Sequence, residues 1–224
     1  MSKANKSNKA IKYRLYPNDE QKVMFAKTFG CCRFVYNQLL ALQKQRYKDG
    51  ESHLSKLKSN EFATRTLKKD YDFLKEIDKF AVSNAVFHLA DAYDRFFKKQ
   101  NHFPKFKSKR KSKKSYTTNF TNNNILIGKN VIKLPKVGMV KAVIHRLSKD
   151  DWKLKSVTVS QDSVGNYFSS VLFEYEQEDI PSVSKSSTNA IGLDYKSDGL
   201  YMDSNGNKAG VHKYYRESHK KLAK

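Results

Sequence analysis

The chain has 224 residues with 44 Lys+Arg against 22 Asp+Glu, a formal net charge of +22. A small soluble domain needs a charge of only about 2 to 8 for colloidal stability, so the excess points to a polyanionic partner. No apolar run approaches the roughly 18 residues that a bilayer span requires, and the first residues lack the apolar core of a signal peptide, which favours nucleic acid over a membrane and a cytoplasmic, nucleoid-associated location.

At 38% hydrophobic and 29% charged, the chain can bury a real core. Cys31 and Cys32 are adjacent, and Cα atoms ~3.8 Å apart across one peptide lie too close for ordinary disulfide geometry. They read as small buried residues of a reducing compartment. The six histidines show no short spacing to each other or to the cysteines, which argues against a zinc site.

In chain order, residues 9–16 alternate, with Ile11, Tyr13 and Leu15 on one side, Lys12 and Arg14 on the other, and Pro17 as a stop. This predicts a strand. Asn18 with Gln21 has capping-box spacing, and residues 19–101 carry helical periodicity: Cys32, Val35, Leu39 and Leu42, then Val82, Val86, Leu89, Tyr93 and Phe96. Gly30 is expected to break the first helix from the second, and Asp49-Gly50 to end the second.

Residues 103–116, FPKFKSKRKSKKSY, form the strongest binding signal. Seven of the ten residues at 105–114 are basic (Lys105, Lys107, Lys109, Arg110, Lys111, Lys113 and Lys114), with rings at Phe103, Phe106 and Tyr116. Such a segment offers charges to phosphates and rings to bases, and the interleaved rings favour this over a merely solvated loop. Asn119 and the run at 122–124 carry amides able to read base edges, but asparagine clusters also form turns, and the residues alone favour the turn. Lys79, Ser83 and Asn84 lie off the apolar stripe of their helix, on what reads most simply as a solvated face.

Residues 116–179 read as short strands with hairpin turns near 128–130 and at Gly165-Asn166, suggesting a small barrel or sandwich. The first strand needs partners for its backbone, so the helices are inserted into this β-unit. A Ser/Thr/Pro linker follows, then the strand at 190–194, AIGLD, a second strand near 200–202, the turn at 204–207 and a basic helix from Tyr214. Asp194 is either a turn aspartate or the metal-binding aspartate with which a ribonuclease-H-like sheet opens. Asp198 and Asp203 follow too closely to complete a two-metal site, which needs carboxylates from separate elements.

The ordered motifs YRLYPN, GCCRFVYN, EIDKFAVSNA, FPKF-KSKR, FTNNN-ILIG, KLPKVGMVK, SVTVS and IGLDYKSDG resemble the OrfB/TnpB proteins of bacterial insertion sequences. These are RNA-guided DNA endonucleases, long described as transposases and related to type V CRISPR effectors. The resemblance implies an α+β fold: a β-barrel wedge domain from residues 1–18 and 116–181, an inserted helical recognition domain at 19–100 and a basic connecting loop at 101–115. A linker at 182–188 and the opening strands of a ribonuclease-H-like (RuvC) α/β domain at 189–224 complete it. Asp194 corresponds to the first RuvC ligand for Mg²⁺. Lys79, Ser83, Asn84, Thr121 and Asn122 match the readers of a short duplex DNA motif, which reverses the bland reading of both clusters, while guide RNA pairing reads the target.

Full-length members continue through further acidic ligands and a zinc element that this chain lacks, and Tyr195 replaces a common glycine. The expectation is therefore a chain truncated within RuvC. It would bind guide RNA and double-stranded target DNA, with a separate C-terminal RuvC fragment as a candidate partner, and would not cleave alone. The alternatives are a nuclease-inactive, guide-dependent repressor and a generic basic RNA-binding protein.

Overall fold

Residues 6–176, 191–196 and 199–222 are described by a computed structural model of the protein. The expected linker at 182–188 and Asp198 lie outside them. The chain divides into two compact units, Met1–Glu178 and Asp179–Lys224.

In the first unit the alternating segment is strand β1 (Lys6–Tyr16), with Ile11, Tyr13 and Leu15 buried. Helix α1 (Asp19–Lys48) starts at the predicted capping box. The Asn18 side-chain Oδ1 accepts from the Gln21 backbone N–H at 2.8 Å, and the Asn18 backbone N–H donates to Gln21 Oε1 at 3.1 Å. The expected break at Gly30 does not occur: α1 runs unbroken through 30 residues. A glycine inside a helix costs only about 1 kcal/mol relative to alanine. Here its neighbours Phe29, Cys31 and Cys32 are all buried, and that packing outweighs the cost. The helix does end at Asp49, with Gly50 at φ +72° in the left-handed region that glycine tolerates.

The chain then forms α2 (Lys56–Glu61), a π-helical turn at Phe62–Leu67, α3 (Lys68–Asp70), a 3-10 turn at Asp72–Lys75 and the long α4 (Lys79–Phe97). Val82, Val86, Leu89 and Tyr93 of α4 are buried, as their spacing predicts.

Six strands follow: β2 (Lys114–Asn119), β3 (Leu126–Ile127), β4 (Val131–Leu134), β5 (Gly138–Val143), β6 (Lys153–Gln161) and β7 (Tyr167–Glu176). With β1 they make one antiparallel seven-stranded sheet in the order β2-β6-β7-β1-β5-β4-β3. β1 pairs with β7 from Lys6↔Glu176 to Leu15↔Tyr167 and with β5 near Arg14↔Val143, so the helices are inserted between a strand and its partners. Tyr116, Tyr167 and Phe173 of the sheet share one core with Phe25 and Phe29 of α1.

The sheet is not closed into the expected barrel. Its edges are β2 and the two-residue β3. At the β2 edge, side chains stand in for a further strand. Asn84 Nδ2 donates to the Thr117 carbonyl at 2.9 Å and Asn124 Nδ2 to the Asn119 carbonyl at 3.0 Å. These carbonyls, two residues apart, point the same way along the pleat, so their polar needs are met without another ladder.

In the second unit, β8 (Leu193–Tyr195), β9 (Tyr201–Asp203) and β10 (Lys208–Ala209) form an antiparallel sheet in the order β10-β9-β8, and α5 (Tyr214–Leu222) follows. Gly199 is required by close approach, because a Cβ there would lie 2.9 Å from the Ala209 carbonyl oxygen. The α+β class holds for the described residues.

Candidate nucleic-acid interface

The N-terminus of α4 is tied to β2. Asp78 is the N-cap; its Oδ2 accepts from the Ala81 N–H at 3.2 Å and from the Thr118 hydroxyl at 2.6 Å, all within the protein interior. This docks the exposed Lys79 beside the turn that follows β2. In that turn Asn122 and Asn123 have φ of 46° and 55°, a left-handed pair that asparagine adopts more readily than most residues. Asn124 closes it, with its N–H on the Thr121 carbonyl at 3.0 Å and its Oδ1 accepting from the Thr121 N–H at 2.8 Å. The two readings of the cluster are thus compatible, since Asn124 builds the turn while Asn122 is left exposed on it.

Lys79, Thr121 and Asn122 line one groove of about 440 Å³ together with Lys68, Lys75 and Lys136. Burial lowers the Lys68 pKa despite the attraction of Asp78, so the groove carries a partly desolvated cation. Ser83 and Asn84 are half-buried and do not line it, and Asn84 spends its amide donors on Thr117 and Asn119. Lys68, Lys75 and Lys136 were absent from the sequence-based set. They come from three separate segments, and no spacing in the sequence joins them.

The basic segment follows a defined path. Asn37 of α1 clamps it, donating from Nδ2 to the Lys107 carbonyl at 2.9 Å and accepting at Oδ1 from the Lys107 N–H at 2.8 Å. Ser108 and Ser112 then bond across the bend, Ser108 N–H to Ser112 Oγ at 2.9 Å. Lys107 turns inward, its Nζ lying 4.0 Å from the Tyr36 ring centre, and burial lowers its pKa. Lys114 reaches Gln161 Oε1 at 3.1 Å. Lys105, Lys109, Arg110, Lys111 and Lys113 are exposed and form no ion pair among the described residues, which leaves five cations open to phosphate. Phe103 and Phe106 are on the surface, with Lys44 Nζ 5.4 and 4.8 Å from their ring centres. Tyr116 is not available to stack on a base: it is buried against Phe25 and Phe29.

Asp194 stands exposed on β8 opposite Met202. Asp203 is committed elsewhere. Its Oδ1 accepts from the Asn205 and Asn207 N–H groups at 2.9 and 2.8 Å and its Oδ2 from Asn207 Nδ2 at 2.8 Å. These bonds, the Asn207 side chain foremost, hold its carboxyl below the usual range. Asp162 builds the β6–β7 turn in the same way, accepting from Val164, Asn166 and the Asn166 amide at 3.0, 2.7 and 2.9 Å. The sequences match accordingly, Asp-Ser-Val-Gly-Asn and Asp-Ser-Asn-Gly-Asn. Asp203 is thus a turn builder. Among the described residues no three His, Cys, Asp or Glu side chains gather as a metal site, so these residues do not by themselves fit Mg²⁺. Burial pushes the Cys31 and Cys32 thiols up to about 11 and about 12, which favours the protonated thiol over the reactive thiolate.

Residues 7–52 match the helix-turn-helix domain of OrfB proteins of the IS605 type. Over 96% of its length the chain is 30% identical to the "Putative RNA-guided DNA endonuclease" of Streptomyces pristinaespiralis, covering 53% of that protein. Over 96% it is also 29% identical to the "Putative RNA-guided DNA endonuclease InsQ" of Escherichia coli (strain K12), covering 52% of it. The chain belongs to the OrfB/TnpB family. It spans about half the length of these two relatives. It is further 32% identical to the "Virulence protein VsdF" of Salmonella dublin, over 45% of this chain and 93% of that protein. The stretch matched as OrfB helix-turn-helix folds here mainly as β1 and the single helix α1.

Several motifs that carry the OrfB/TnpB resemblance are joints of the fold. GCCRFVYN supplies Asn37, which pins the FPKF-KSKR segment; EIDKFAVSNA supplies Asp78 and Asn84, which hold α4 to β2; and FTNNN supplies Asn124. Asn37→Ala removes both amide bonds to Lys107, each worth about 1 kcal/mol. The expected result is faster amide hydrogen exchange in residues 105–112 with little change in the β7 core. Unchanged exchange there would mean that the clamp does not hold the loop.

Proposed function

We propose that this chain is a transposon-associated nucleic-acid-binding protein of TnpB type that binds a guide RNA and reads a short motif in duplex DNA. The observation that carries this reading is the groove where Lys79, Thr121 and Asn122 meet Lys68, Lys75 and Lys136. A side-chain amide can pair with an adenine edge in the major groove, and flanking lysines fix the register on phosphates. The cations of residues 105–114 supply the sequence-independent part of the affinity. Asn84 contributes by holding α4 in place beside the groove. In domain terms, residues 1–18 and 116–181 act as the wedge, 19–100 as the recognition insert, 101–115 as the connecting loop, and 189–224 as the RuvC-type part beyond the 182–188 linker.

Asp194 is assigned as the first RuvC-type ligand. Mg²⁺ at such a site would activate water and stabilise the leaving oxygen of a phosphodiester. Within this chain Asp194 contributes one carboxylate to that task, and its companions would come from outside the described residues. The withdrawal of Asp203 into its turn favours a second reading, guide-dependent occupancy of DNA without cleavage. Mg²⁺-dependent cutting of guide-matched DNA by this chain alone would exclude that second reading.

The test is selection of preferred sequences from a randomised duplex pool in the presence of co-purified RNA. Asn122→Ala and Lys79→Ala are each expected to weaken binding to the selected motif by about 5- to 100-fold, the range for losing a specific base contact, while RNA affinity is retained. No sequence preference, with equal binding to any RNA, would instead support a generic RNA-binding protein.

A further inference from the structure

The ends of α1 and α4, with residues 51–53 and Phe103, enclose a pocket of about 600 Å³ that lies outside every residue considered above for DNA readout. Its walls are rings. His53 meets Tyr93 edge-on at 4.6 Å, Tyr93 lies 6.1 Å from Phe97 at 23°, and Phe103 meets Tyr93 edge-on at 5.6 Å. Tyr47 and Phe97 are 85% and 63% exposed, so both rings are open to a ligand at the pocket. Lys44 and Lys48 stand at the pocket, and its one carboxylate, Glu51, is ion-paired with Arg46. The rim is therefore cationic around an aromatic interior.

We infer that this pocket takes one unstacked nucleobase of single-stranded RNA, with Lys44 and Lys48 on the adjoining phosphates. A base has two flat apolar faces for the rings, and its backbone supplies the anions that the rim lacks. Lys44 also joins the pocket to the basic segment, since its Nζ lies over Phe103 and Phe106 alike. A strand following residues 105–114 thus reaches the pocket without leaving positive surface. A duplex cannot deliver its paired bases in this way. The inference rests on the RNA-binding reading and adds where an unpaired base goes.

The full chain is titrated with a short single-stranded RNA carrying one fluorescent purine analogue. Quenching on binding is expected, because the analogue stacks on the rings. Phe97→Ala and Tyr47→Ala should each abolish most of the quenching and weaken single-strand binding by about 5- to 100-fold, the loss of one base–aromatic stack, with duplex affinity unchanged. Phe97→Tyr should restore both. Both alanine sites are exposed, and an unaltered thermal midpoint shows that the fold is intact. Full quenching and affinity in the alanine variants would overturn the pocket assignment; if basic-loop variants still lose RNA, the wider reading stands. Failure of every RNA to bind would remove that reading and the pocket assignment together. Concentration-dependent dimerisation lost in Tyr47→Ala would overturn the assignment in favour of a second copy of the chain.

Discussion

Asp78→Ala is expected to cost about 2 to 4 kcal/mol of stability in the first unit. Two losses combine. Removal of an N-cap costs about 0.5 to 2 kcal/mol, and a buried hydroxyl left without its partner costs about 1 to 3 kcal/mol. Both apply because Asp78 Oδ2 serves the Ala81 N–H and the Thr118 hydroxyl together, and Thr118 is completely buried. In a unit of this size the thermal midpoint should fall by roughly 5 to 15 °C. Asp78→Asn keeps an N-cap oxygen and an acceptor for Thr118, so it should lose less than half as much. Calorimetry of the two variants checks this, and equal losses would show that the charge of Asp78, and not its two hydrogen bonds, holds the joint. Because this joint also sets Lys79 beside the Thr121–Asn124 turn, motif preference should decay in Asp78→Ala even where the protein remains folded.

Replacing Lys109, Arg110, Lys111 and Lys113 together by alanine should have the opposite profile. These side chains are exposed and without ion-pair partners among the described residues, so the thermal midpoint should hold or rise slightly as like-charge repulsion is relieved. Affinity for RNA should fall about a hundredfold at moderate salt. The slope of log affinity against log salt should flatten by about 0.7 for each phosphate contact removed from a single strand, or roughly 3 in all. An unchanged slope would mean that these cations face solvent in the complex. Lys107→Ala should behave differently, because Lys107 is packed on Tyr36 and its backbone is held by Asn37. Its loss should appear in stability as well as in binding.

Local chemistry carried much of the architecture. The alternation at Ile11, Tyr13 and Leu15, the Asn18–Gln21 capping box, the apolar stripe of α4 and the turn at Gly165-Asn166 all depend on neighbours within a few residues, and each stands where its pattern predicts. Expectations failed where a distant partner decided the outcome. Gly30 does not interrupt α1 because Phe29 and Cys32 are packed in the core on either side of it. The sheet stays open at β2, where Asn84 of the distant α4 takes the Thr117 edge carbonyl. Tyr116 sits among basic residues in the sequence yet points between Phe25 and Phe29.

The same division holds at the site. The charge excess, the basic run and the ordered motifs were enough by themselves to indicate nucleic acid and the OrfB/TnpB family, because composition and motif order do not depend on packing. The strand bearing Asp194 was legible only in part: β8 covers Leu193–Tyr195, with Ile191 and Gly192 outside it, and presents the Asp194 carboxylate to solvent. Only the tertiary structure could join Lys68, Lys75 and Lys136 to Lys79 in one groove, give Asn37 its hold on Lys107, close the Asp203 carboxylate on its own turn and gather six rings around an open pocket. Each of these depends on contacts between segments tens of residues apart or on how one side chain divides its hydrogen bonds, and neither is written in local spacing.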